Sequence, residues 1–163
     1  MKYITKITLF LCIFFLSLCV SATDMRRFTD SALARQNMLL HSSIAMLRND
    51  YVFVLFYSTN CPHCISFAPV LKKYAYDCGI SVKAFAVGQQ AVSIFPDSVI
   101  VSQDTVNQFF GNGSELSVPT LFVLNKNNYH AYPVSKGALT YLELNNRMNN
   151  LAPKILNHEQ KIV

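Results

Sequence analysis

The sequence predicts an α/β domain with helices flanking a central mixed sheet, and three stretches predict it. Tyr51–Tyr57 (YVFVLFY) is apolar on both alternating faces and rich in β-branched and aromatic residues, as expected of a central strand covered on both sides. Ile80–Val87 (ISVKAFAV) is a second, mostly apolar run reached through a helical stretch, so the crossover makes the two strands parallel. Thr120–Asn125 and Tyr129–Val134 are strand-like runs around Asn125-Lys126-Asn127-Asn128, which reads as an antiparallel hairpin.

In chain order, Met1–Ala22 reads as a cleaved export signal. Lys2 and Lys6 precede the uncharged Ile7–Val20, and Val20-Ser21-Ala22 places small residues where a signal peptidase cuts. A membrane anchor left uncleaved is the competing reading, but the uncharged run is shorter than the roughly 20 residues that span a bilayer. In Leu16-Ser17-Leu18-Cys19 the bulky Leu18 argues against a lipoprotein signal. Cleavage leaves residues 23–163 as one domain with three of the five cysteines and 12 basic against 9 acidic residues. With 52% apolar and 14% charged residues overall, the chain can fill one core. Export places the remaining thiols in an oxidising compartment, here the periplasm. No basic run is interleaved with aromatics, which gives nucleic-acid binding no support.

From Thr29 to about Asn49 a helix is expected, capped by Thr29 or Asp30, with Leu33, Leu40, Ile44 and Leu47 at helical spacing. The helix after Cys61 runs through Phe67, Val70, Leu71 and Tyr74 to Asp77, bends at Pro69 and ends at Gly79. Residues 88–102 are irregular, broken by Gly88 and Pro96-Asp97, and Gln103–Phe110 forms a short helix ending at Gly111. Gly111-Asn112-Gly113-Ser114 is a loop. Gly137 leads to a final helix at about Leu139–Leu151, and Pro153 begins a polar tail that frays.

The chemistry lies directly after the first strand, in Cys61-Pro62-His63-Cys64. Ser58, Thr59 and Asn60 supply turn chemistry and capping oxygens, so Cys61 falls at or next to the first residue of a helix. Its sulfur then faces unpaired backbone N–H groups, and those donors, the helix dipole and the His63 imidazole all favour thiolate over thiol. Cys61 is therefore the attacking sulfur. Pro62 has no N–H to lose and a φ suited to the first turn, and Cys64, about one turn on, is close enough to close a disulfide as the resolving sulfur. The bland reading of His63 is a solvent-facing helix residue; its place beside Cys61 favours the electrostatic role. Cys78 reads as a small apolar residue at a helix end, or as a spare thiol able to form mixed disulfides. Covalent haem attachment needs His directly after the second cysteine, where Ile65 stands. A structural zinc site needs four ligands, and no second Cys-x-x-Cys or close His pair appears. The reading therefore calls for no metal and no cofactor.

The order helix, strand, helix, strand, helix, strand, strand, helix resembles a thioredoxin fold, with Cys-x-x-Cys after the first central strand and Val118-Pro119-Thr120 before the hairpin. Cys61-Pro62-His63-Cys64-Ile65-Ser66-Phe67-Ala68-Pro69 resembles that family closely, including the Ala-Pro that kinks the active-site helix. Phe95-Pro96, Gln103–Gly111, Val118–Val123 and Tyr132–Gly137 look like the TrbB family of conjugal-transfer thiol-disulfide isomerases of F-type secretion systems. The resemblance covers roughly residues 50–152. It implies that Pro119 is cis and lies against the active-site cysteines, that Val118 offers backbone groups to an extended substrate, and that Pro62 joins them. Two departures matter. Leu55 stands where thioredoxins keep a buried acidic residue, so proton transfer to and from Cys64 must use water or another group. Pro62-His63 is the dipeptide of the oxidising DsbA enzymes, whose long helical insertion has no room between Val87 and Pro119.

These features give an exported thiol-disulfide oxidoreductase, an isomerase for envelope and conjugative pilus assembly proteins. A DsbA-like dithiol oxidase is the alternative, and a non-enzymatic holdase or assembly scaffold the second. The implied partners are cysteine-containing envelope or secretion-system proteins, and a membrane thiol reductase or oxidase for recycling.

Overall fold

A computed structural model describes residues 43–88, 95–113 and 115–162. The export signal and most of the helix expected at Thr29–Asn49 lie outside them; Ser43–Met46 is helical and turns into the first strand through Tyr51 N–H to Leu47 O, 3.0 Å. The elements are β1 (Tyr51–Tyr57), α1 (Pro62–Cys78), β2 (Ser81–Ala86), β3 (Val99–Ile100), α2 (Gln103–Phe110), β4 (Thr120–Asn125), β5 (Ala131–Lys136) and α3 (Tyr141–Ile162).

The strands form one mixed sheet in the order β3-β2-β1-β4-β5. β1 lies in the middle, parallel to β2 (Phe53 opposite Val82) and antiparallel to β4 (Phe56 opposite Thr120). Because side chains alternate along a strand, β1 feeds two cores. Phe53, Leu55 and Tyr57 pack with Phe67, Leu71 and Tyr74 of α1 and with Leu144, Met148 and Ile155 of α3. Val54 and Phe56 face the other way, where Phe56 meets the rings of Phe85, Phe109, Phe110 and Phe122 at 5.0–6.0 Å. The helices thus flank the sheet, and its central strand delivers residue 58 onward to the sheet's carboxyl edge.

α1 closes at Gly79, whose φ of +68° is left-handed and whose N–H returns to Tyr76 O at 3.1 Å. A side chain there would also collide with Arg48, whose Nε would lie 2.7 Å from an added Cβ. α2 starts on Ser102, which accepts from Thr105 N–H at 3.2 Å. Thr140 and Glu143 form a reciprocal capping box for α3, with Thr140 N–H donating to Glu143 Oε2 at 2.8 Å and Glu143 N–H to Thr140 Oγ1 at 3.3 Å.

Three expectations need correction. Residues 88–102 hold a short strand, β3, which extends the parallel edge from β2; two residues are too few to register as a period. The second hairpin strand begins at Ala131, because Tyr129 N–H donates to Asn125 O and His130 N–H to Asn128 Oδ1, which keeps both residues in the turn. The chain after Leu151 does not fray: α3 continues through Pro153 to Ile162. An interior proline costs a helix about 3 kcal/mol. Fully buried Ile155 returns about 1.5–3 kcal/mol, and hydrogen bonds from Tyr132 and Asn128 to Glu159 fasten the last turns.

Candidate active site

The loop from β1 carries Ser58–Asn60 to the start of α1, where Cys61 is the N-cap in extended conformation (φ −101°, ψ 110°) and Pro62 the first helical residue. The cap places the sulfur over the open end of the helix. Cys64 N–H donates to Cys61 Sγ at 3.2 Å, so one backbone donor that a helix leaves unpaired is satisfied by this sulfur. On its other side Cys61 Sγ–H points to Val118 O at 3.9 Å. The Val118–Pro119 peptide bond is cis, and Pro119 O accepts from Gly137 N–H at 2.7 Å, tying this loop to the end of β5.

The two thiols occupy different surroundings. Cys61 is half-buried and Cys64 is 1% exposed. Burial pushes the Cys64 thiol up to about 12, and the neighbouring Cys61 sulfur adds to the rise against a backbone contribution from Ser58. β1 offers no carboxylate to take this proton: Leu55, paired with Ala84 and Leu121, is fully buried.

Among the sequence-predicted site residues, the structure brings Cys61, Cys64 and Val118 into hydrogen-bond contact, with Pro62 and Pro119 flanking them. His63 stands on the exposed side of α1, and its ring makes no hydrogen bond among the described residues; its backbone oxygen accepts from Ser66 Oγ. Ile65, half exposed, extends that outer surface, and an open depression lined by Glu115, Leu116, Ser117 and Lys136 lies beside Val118. Cys78 is at the opposite end of α1, half-buried, and its thiol is raised chiefly by burial. Two arrangements were not visible from spacing. Tyr57 O–H donates to Ser98 Oγ at 2.9 Å across 41 residues. His130 and His158, which no local pattern pairs, have ring centroids 6.1 Å apart.

A central strand feeding a Cys-x-x-Cys helix, with a cis-proline loop against the first sulfur, defines a thioredoxin-like protein with a paired-thiol site. The chain belongs to the family of TraF, the F plasmid transfer operon protein, whose family model matches residues 27–149. It is similar to Protein TrbB of Escherichia coli (strain K12), at 37% identity over 89 residues, 55% of this chain and 49% of that protein. The match thus spans about half the length of that relative. Among solved structures, a thiol:disulfide interchange protein of the thioredoxin family from Chlorobium tepidum TLS matches at 21% identity and a TM-score of 0.45, covering 66% of this chain and 83% of that one. StoA from Bacillus subtilis matches at 20% identity and a TM-score of 0.40, covering 61% and 83%.

Proposed function

We propose that the chain is an exported thiol-disulfide oxidoreductase that acts as a disulfide isomerase on cysteine-containing envelope proteins of a conjugation apparatus. The observation that carries this reading is the Cys61 sulfur, held on the helix N-terminus by Cys64 N–H, facing Val118 and partly open, with a second, buried thiol one turn behind it. Family membership supports the place in conjugal transfer. Export to the periplasm rests on Met1–Ala22; among the described residues no helix is long and apolar enough to cross a membrane.

In this reading Cys61 gives up its proton and its thiolate attacks one sulfur of a substrate disulfide. The substrate S–S bond breaks, a Cys61–substrate disulfide forms, and the second substrate sulfur leaves as a thiolate that takes a proton. Val118 backbone groups and the outer surface of Pro62 and Ile65 hold the substrate segment, and His63 supports the Cys61 thiolate. Two fates compete for the mixed disulfide. A substrate thiolate can attack and release Cys61, which leaves the count of disulfides unchanged and is isomerisation. Alternatively Cys64 attacks, closing Cys61–Cys64 and releasing reduced substrate, after which two electrons from a membrane thiol reductase restore the pair. Cys64 must lose its proton to compete, and burial opposes that loss without a carboxylate at position 55 to assist. The slower resolving step favours the substrate's own thiol, hence isomerisation.

A dithiol oxidase is the second reading, favoured by Pro62-His63 between the cysteines. The resting state of the pair decides. Acid trapping of thiols in intact cells, with Cys78→Ser to simplify the count, is expected to find Cys61 and Cys64 mostly reduced. A fully oxidised pair in cells that retain the membrane reductase would make the oxidase reading the correct one.

A further inference from the structure

Away from the thiols, the β4–β5 turn and the last turns of α3 gather three metal-ligating side chains. His130 is the last residue of the turn, His158 and Glu159 lie on α3, and one donor atom of each is within 4.8 Å of the other two. From this geometry we propose a divalent transition-metal site of the zinc class, with His130, His158 and Glu159 as protein ligands and water completing the shell.

The donor set selects the ion. Two imidazoles and one carboxylate suit borderline Zn²⁺ with an open coordination position, whereas Mg²⁺ and Ca²⁺ require oxygen-rich shells. Zn–ligand bonds of about 2.0–2.1 Å place the ligand atoms of a tetrahedron roughly 3.3 Å apart. Closing from the present separations therefore takes movements of about an ångström, within reach of exposed side chains by rotation alone. His130 and His158 are exposed, and His130 Nδ1 is already 3.8 Å from Glu159 Oε1.

The surrounding hydrogen bonds orient the ligands as an outer shell would. Tyr132 O–H donates to Glu159 Oε1 at 2.5 Å, and the Tyr132 hydroxyl oxygen lies 2.9 Å from His158 Nδ1. The hydroxyl has a single proton, which goes to the carboxylate, so His158 Nδ1–H donates to the Tyr132 oxygen. His158 is thereby fixed in the tautomer whose Nε2 carries a free lone pair, and a ligating imidazole needs this arrangement. Asn128 Nδ2–H donates to Glu159 Oε2 at 2.6 Å and holds the carboxylate from its other side. A metal here joins the end of α3, beyond Pro153, to the hairpin. Nothing in the thiol chemistry requires it, and the two sites are built from different elements.

The test is zinc stoichiometry and affinity on the full chain at micromolar free Zn²⁺, comparing wild type with His130→Gln, His158→Gln, Tyr132→Phe and the double variant Cys61→Ser/Cys64→Ser. Each histidine variant is expected to bind one equivalent less than wild type, and the cysteine variant to keep that equivalent. Tyr132→Phe should weaken it about 10–100-fold, the usual effect of an outer-shell partner. Zinc should also raise the Tm of wild type more than that of either histidine variant. Both histidines are on the surface, and unchanged far-UV circular dichroism verifies folding. Equal zinc content in wild type and histidine variants, whether one equivalent or none, would overturn the proposal.

Discussion

Cys64 should be a slow nucleophile in the folded, reduced chain, and the Cys61→Ser variant isolates it. Serine preserves a polar cap at the helix start while leaving Cys64 to react without its neighbour, and burial, the first cause of its raised pKa, remains. A thiol ordinarily near 9.0 but pushed to about 12 loses roughly a thousandfold in thiolate fraction at pH 7. The more basic thiolate is intrinsically more reactive; with a Brønsted coefficient of about 0.4–0.5 this recovers some 15–30-fold. The Cys61 sulfur contributes part of the rise and is gone in this variant, so the net expectation is alkylation slower by up to about 30–60-fold than for the same cysteine in urea-unfolded chain, with further slowing because only 1% of the residue is exposed. Timed iodoacetamide labelling with peptide mass spectrometry measures both rates. In the converse Cys64→Ser variant, half-buried Cys61 should label readily. Equal Cys64 rates in the folded and unfolded chains would refute the reasoning that burial holds this proton.

Phe56→Ala should destabilise the chain by about 3–5 kcal/mol in urea, since Phe56 is fully buried among four aromatic rings; a loss below about 1 kcal/mol would remove that face from the core. Pro153→Ala restores an N–H within α3 and should raise stability by about 1–3 kcal/mol, with no gain expected only if the helix stopped before it. The reduced chain should lose stability between about pH 9 and 12. There the unfolded chain has released the Cys64 proton that the folded chain still holds, so the slope is negative, up to about 1.4 kcal/mol per pH unit. Urea titrations across that range should show the slope in wild type and a smaller one in Cys64→Ala.

Much of this architecture was legible because the residues that build it are local. Tyr51–Tyr57 alternates between two cores and so reads as apolar throughout, and Cys61 and Gly79 bracket α1 by side-chain capping and a left-handed φ. Gln103–Phe110 follows from Ser102 and Gly111 in the same way. Pro119 became readable only through family resemblance, because nothing local to Val118 announces a cis bond. Two of the three misreadings involve distant partners, whereas the late start of β5 comes from hydrogen bonds within the turn itself. Pro153 argues locally for a helix end, but Ile155 is buried against the sheet and Glu159 is held by the hairpin. β3 exists because β2 offers it an edge, and His130 meets His158 only once α3 runs past Pro153.

The central claim is that Cys61 and Cys64 form one reversible redox pair entered through Cys61. Equilibration of the Cys78→Ser chain in glutathione buffers, followed by acid quenching and mass analysis, tests it directly. A single two-electron transition between dithiol and Cys61–Cys64 disulfide is expected, and, when Cys64→Ser is added, a stable glutathione adduct on Cys61. A chain that shows no reversible transition, or an adduct confined to Cys64 when Cys61 is also present, would contradict it.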